Sequence, residues 1–211
     1  MADITREELL IRVEQGEKGF SNLNLSGLSL ERLDLSGLSL RQADCTAAAF
    51  TNSSLIKSNL DGAILRGSIL TLVNARGANL RGAVLCGAES IIANLSLVLL
   101  AGADCTAVVL DGTTLAGATL TETQFVKASL VGVDFTGADL SRADLRRANL
   151  TGAVLVGAKL AQANLQYANL TGADLTAADL TGAVVLAENL AQVQSLKGAI
   201  MPDGSPFDLE E

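Results

Sequence analysis

The chain is 211 residues long and 49% hydrophobic, yet aromatic residues make up only 3%, His and Trp are absent, and Tyr167 is the one tyrosine. Its core has to be built from small and medium aliphatic side chains. A formal net charge of −8 argues against direct binding of DNA, RNA or an anionic membrane, because such a surface displaces no counterions from phosphate, and it favours a basic partner surface.

In chain order, Met1 to Glu8 shows no basic segment followed by an apolar run, so it does not read as a secretory signal. Thr5 stands as an N-cap with Glu8 three places on, the spacing of a capping box, and Ile4 and Leu9 are placed for a hydrophobic staple. Leu9, Leu10 and Val13 give an apolar stripe that Gly16 ends, which predicts a short amphipathic helix over about 6–15 within a cap of residues 1–17.

Residues 18–190 carry a period of five. Leu or Phe falls at almost every position divisible by five from Phe20 to Leu190, and two places earlier stands a small or aliphatic residue, Leu23 to Leu38 first and Ala138 to Ala183 later. Asp or Asn lies between them in many repeats, as at Asp34, Asp44, Asn59, Asn79, Asp139 and Asn149. A helix scatters positions five apart and a flat strand alternates by two, so neither explains the pattern. A square coil does: four five-residue units per turn, the Leu and the small residue inward, the other three places outward. Gly62, Gly82, Gly112 and Gly152 supply the backbone freedom that corners require. The interior is expected to be too narrow for rings. The longest apolar stretch, Leu95 to Ala101, is interrupted by Ser96 and too short to cross a bilayer, so a soluble cytoplasmic protein is expected.

These repeats resemble the pentapeptide-repeat family. The resemblance implies an all-β fold, a right-handed quadrilateral parallel β-helix of nearly nine coils, about 40 Å long at ~4.8 Å per coil, with the short α-helix capping its N-terminal end. Beyond Leu190 the frame fades, with Glu188 at a small-residue place and Ser195 at a Leu place. Residues 191–211 read as a C-terminal cap sealed by Val193, Leu196 and Ile200, then a turn at Met201-Pro202-Asp203-Gly204 and a mobile acidic tail from Phe207 to Glu211. The N-terminal helix leading into Phe20 and the closing run from Leu196 to Ser205 resemble cyanobacterial members of the family, including the regulator of heterocyst differentiation. That likeness implies a cyanobacterial source and a regulatory, protein-binding role.

No catalytic residue, metal, cofactor or small-molecule substrate is expected. The Asp and Asn at the outward place before Leu are read as hydrogen-bonding local backbone rather than binding cations. Cys45 and Cys105 fall at Leu places, three turns apart in one interior column, while Cys86 faces outward; all three read as reduced thiols. Glycines such as those in Arg76 to Gly82 belong to corners and lack the lysine motif of a phosphate loop.

Function is therefore sought on the outward places. Ile69, Leu72, Ile91, Ile92, Val109 and Val131 share the face built around Leu70, Ser90, Leu110 and Leu130, with Leu97 and Leu99 around neighbouring corners. They are expected to adjoin and to bind another protein or a second copy of the chain, the competing reading being an aliphatic ladder that serves stability alone. A second candidate is the basic spot of Lys127, Arg142, Arg146 and Arg147 beside Tyr167, with a cation over the ring and Asp139 and Asp144 neutralising much of the charge. The expected function is a non-enzymatic interaction scaffold or regulator. The resemblance implies one alternative, a DNA mimic that binds or protects a type II topoisomerase such as gyrase. Its relatives of that kind resemble rods with projecting loops or an aromatic-rich C-terminal module, and this chain shows neither.

Overall fold

In the computed structural model, which describes residues 2–207, the inward and outward places follow the five-residue unit. The Leu places from Leu25 to Leu180 and the small-residue places from Ala43 to Ala183 are buried and form one continuous core. The place between them points outward and pairs with its counterpart twenty residues on, in parallel bridges that run from Gly19↔Ser39 to Asn164↔Val184. Each bridging residue donates and accepts toward the preceding coil, as in Asn59 N–H to Leu38 O at 2.8 Å and Leu40 N–H to Asn59 O at 2.7 Å. Most backbone pairing is thus between neighbouring coils.

The corner lies at the two places after each Leu. Its second place has positive φ in every repeat from Asn22 to Gly182, and the next N–H commonly bonds back to the Leu carbonyl, as in Ala63 N–H to Leu60 O at 2.9 Å. This is the pattern of a type II turn, which is why glycine recurs there. The Asp and Asn before each Leu turn their side chains onto the corner: Asp44, Asp134 and Asp174 each accept from the N–H two residues on at 2.9 Å.

The interior proves wider than expected. Phe20, Phe50, Phe125 and Phe135 are fully buried at Leu places, and Phe125 meets Phe135 edge to face with centroids 6.4 Å apart. These two sit half a turn apart, so a pair of rings spans the lumen from opposite sides.

At the N-terminal end α1 runs Arg6–Glu14, with the Thr5 hydroxyl accepting from Glu8 N–H at 3.1 Å and Gly16 following at φ 88. Among the described residues the Glu8 carboxylate makes no return bond, so the capping box is half formed. Ile4 and Leu9 are buried on the first coil. That coil's exposed edge is covered locally: Asp3 N–H bonds Asn24 O at 2.7 Å, the Asp3 carboxylate accepts from Asn24 N–H at 2.6 Å, and Arg6 reaches the carbonyls of Ser29 and Glu31.

The C-terminal end departs from the single frame expected through Leu190. Ala187–Leu190 forms α2, and Asn189 replaces a bridge with a side-chain amide bond to Ala168 O. A helical turn advances less per residue than a strand, so an extra residue is needed to cover the side, and the bridges become Asp174↔Ser195 and Asp179↔Ile200. This shift corrects two assignments. Ser195 takes a bridge place rather than a Leu place, and Ile200 points outward while Ala199 is buried instead. Met201 to Ser205 turns the chain, and Pro206 pairs antiparallel with Ile200. Phe207, expected to begin the tail, bonds Ala199 O at 2.8 Å; the remainder of the acidic tail lies outside the described residues.

Candidate docking surfaces

Leu72 and Ile92 stand on the same corner of successive coils, at φ 59 and 53, with 46% and 64% of their surface exposed. Left-handed backbone is uncommon for any residue but glycine and a true outlier for a β-branched one. The Ile91–Ile92 turn is also opened. Ser90 O and Ala93 N–H do not bond each other but are bridged by the buried Thr113 hydroxyl. Beneath this corner Ser90 occupies a Leu place, and its own hydroxyl is buried with no protein partner. Around the next corner Leu97, at φ 59, is 48% exposed.

Glycine on the following coil receives these side chains. A Cβ on Gly112 would sit 3.6 Å from Ile92 Cγ1, and one on Gly117 only 2.9 Å from Leu97 Cδ2. Leu72, Ile91 and Ile92 make an apolar ledge at one corner of successive coils, and Leu97 stands on the next corner with Asn94 at the bridge place between them. Charged residues interrupt the columns of the other three candidates. Glu89 bridges both Ile69 and Val109 and so lies between them. Asp111 lies between Ile91 and Val131, its carboxylate accepting from Val131 N–H at 3.0 Å and from the Ser129 hydroxyl at 2.7 Å. Sequence reading passed over Ile64, which is exposed and bridges Val84 on the adjoining face; the signal was an aliphatic pair twenty residues apart at the bridge place.

Lys127, Arg147 and Tyr167 occupy another corner, at φ 59, 60 and 60. Arg142 belongs to a neighbouring corner, paired with Glu122 at 3.4 Å. Asp144 holds Arg146 at 2.6 Å, and that contact depresses the carboxyl's pKa. Asp139 accepts from Ser141 N–H instead of neutralising a cation. Arg147 is not stacked on Tyr167: among the described residues the guanidinium that lies over a ring is Arg12, 5.1 Å from Phe20.

The thiols offer little chemistry. Burial pushes Cys45 up to about 12 and raises Cys105 further. Half-buried Cys86 is also raised, by desolvation and by Asp104, so its reactive thiolate is disfavoured. At the C-terminal end Leu190, Val193, Leu196, Met201 and Phe207 line an open apolar depression of about 540 Å³. No helix among the described residues is long and apolar enough to cross a membrane.

Residues 29–67, 93–130, 128–166 and 153–184 match the family model for pentapeptide repeats, in eight copies. The chain belongs to the pentapeptide-repeat family. It is similar to HetL, a pentapeptide repeat protein involved in heterocyst differentiation regulation from the cyanobacterium Nostoc sp. strain PCC 7120, with 33% identity over 97% of this chain and 100% of that one and a TM-score of 0.68. Trypsin-treated QnrB1, a plasmid-mediated fluoroquinolone resistance protein, is 18% identical over 82% of this chain and 88% of that one, also with a TM-score of 0.68; this likeness shows the fold alone. Pentapeptide-repeat proteins of known structure adopt a right-handed β-helix, and no enzyme family is indicated. No curated protein sequence matches the chain.

Proposed function

We propose that this protein is a non-enzymatic interaction scaffold with a regulatory role in a cyanobacterial cytoplasm, a rod of nearly nine coils that binds a protein partner through the ledge of Leu72, Ile91 and Ile92. One observation carries the reading: large aliphatic side chains are kept exposed at corners where glycine would relieve the backbone. The likeness to HetL supports the regulatory part. Ile69, Val109 and Val131 form an outer ring of the same face, interrupted by Glu89 and Asp111, so the contact has an apolar centre and a charged margin.

The test is a Leu72→Gly, Ile92→Gly variant, whose corners suit glycine and whose melting temperature should stay near that of wild type. Partner capture and sedimentation velocity are then compared with wild type. A retained protein, or a homodimer, lost with the variant supports the ledge; an unchanged set of partners and an unchanged mass refute it.

The net charge of −8 favours the second reading, a DNA mimic acting on gyrase. Against it, no column of outward places carries acidic residues on two successive coils; Asp139 and Asp179, for instance, are separated by Lys159. A supercoiling assay decides: protection or inhibition of gyrase at stoichiometric protein establishes the mimic, and no effect removes it.

A further inference from the structure

We propose that the corner formed by Lys127, Arg147 and Tyr167 is a second docking site, specific for an acidic segment of a partner protein. The three side chains stand at one corner of three successive coils and, with Val126, Arg146 and Gln166, line a shallow pocket of about 260 Å³. Earlier in the same column stand Gly27, Ala47, Gly67, Gly87 and Ala107. The column therefore changes from small residues to two cations and a ring, although the positive φ that favours glycine continues unchanged.

The charges in the pocket are open to a ligand. Arg146 is engaged by Asp144, whereas Lys127 and Arg147 have no carboxylate within 4.0 Å among the described residues. The bridge places on one side are Ser129, Asn149 and Asn169, and on the other Gln124, Asp144 and Asn164. One carboxylate, already paired, is what an approaching anion meets there. Tyr167 is 68% exposed, more than any other large hydrophobic residue described, and offers a ring face and a hydroxyl beside the two cations. A guanidinium and an ammonium with a ring suit carboxylates borne on short apolar stems.

A short acidic peptide fits this better than nucleic acid. The basic patch spans two coil spacings, about 10 Å, within a molecule of net charge −8. A long polyanion needs an extended basic track and would meet repulsion on both sides, while a short acidic segment does not run beyond the patch.

The experiment is fluorescence anisotropy with fluorescein-labelled hexaglutamate, alongside a single-stranded DNA oligonucleotide of equal charge, on wild type and on a Lys127→Gly, Arg147→Gly variant. Hexaglutamate is expected to bind wild type and to bind the variant at least about tenfold more weakly. Tyr167→Gly should weaken it about threefold. Because glycine suits these corners, both variants should melt no lower than wild type, which separates lost binding from lost structure. No binding of hexaglutamate to wild type, equal binding to the double variant, or DNA bound as tightly as the peptide would each overturn the proposal.

Discussion

Replacing Ser90 by Leu should stabilise the whole rod. Ser90 sits at a Leu place with Leu70 and Leu110 at the same place on the coils either side, so the column already accommodates Leu. Its hydroxyl is buried without a protein partner, a burden of about 1–3 kcal/mol. Leu70, Leu80 and Leu95 nearby keep slight solvent contact, the most of any buried Leu. Filling that space adds about 1.5–3 kcal/mol of apolar burial, against which overpacking costs about 1–3 kcal/mol. The balance is a gain of about 2–3 kcal/mol, a rise in melting temperature of roughly 5–10 °C. Ser90→Ala isolates the first contribution and should gain about 1 kcal/mol. Thermal unfolding followed by circular dichroism checks both. A Leu variant that melts at or below wild type refutes the reasoning, since it would mean that the hydroxyl is satisfied or that Thr113 leaves Leu no room.

Gly117→Ala places a Cβ 2.9 Å from Leu97 Cδ2 on backbone at φ 64; it should destabilise by about 1–2 kcal/mol, and less in a Leu97→Ala background, which a double-mutant cycle of melting curves would read. Acid should weaken the corners. Asp34, Asp44 and Asp179 have lowered pKa values because the side chain and the N–H of the residue two places on bond to the carboxylate. A depressed folded pKa gives stability that is complete above the unfolded value of about 3.9 and is lost as pH falls through the folded one. Melting temperature should therefore hold from neutral pH to about pH 5 and drop below about pH 4, and Asp44→Asn, which keeps the acceptor without the charge, should soften the drop.

The repeat was legible because one geometry recurs: every corner asks for the same positive φ, and every inward place for Leu or a small residue. Legibility failed where that geometry stops. Within Ala187 to Leu190 Glu188 alone breaks the pattern, and one charged residue at an inward place does not announce a helical turn, so Ser195 is counted in the old frame when the fold has moved it by one residue. The interior was expected too narrow for rings for another reason. Lumen width is set by which columns face each other, and rings half a turn apart can interlock. For the candidate site, phase alone identified the aliphatic residues of one face, but contiguity also depends on what stands between them. Glu89 and Asp111 became decisive only once the bridges were placed. The open contacts of Lys127 and Arg147 likewise depended on Asp144 turning its oxygens to Arg146, which spacing does not determine.

The one-residue shift near the C-terminus has a consequence for how such a chain can change length. Bridges connect residues twenty apart through most of the rod, and the extra residue enters beside α2, where one short coil remains to be stacked. A one-residue insertion in the middle that no such local turn absorbed would put every later Leu outward, exchanging the buried and wet places of all coils above it. Growth or loss within an unbroken wall therefore comes in whole five-residue units, and any other length has to leave the wall as a loop or sit at the termini. Lineages of this fold should differ within the wall by multiples of five residues, and at loops and ends by any number.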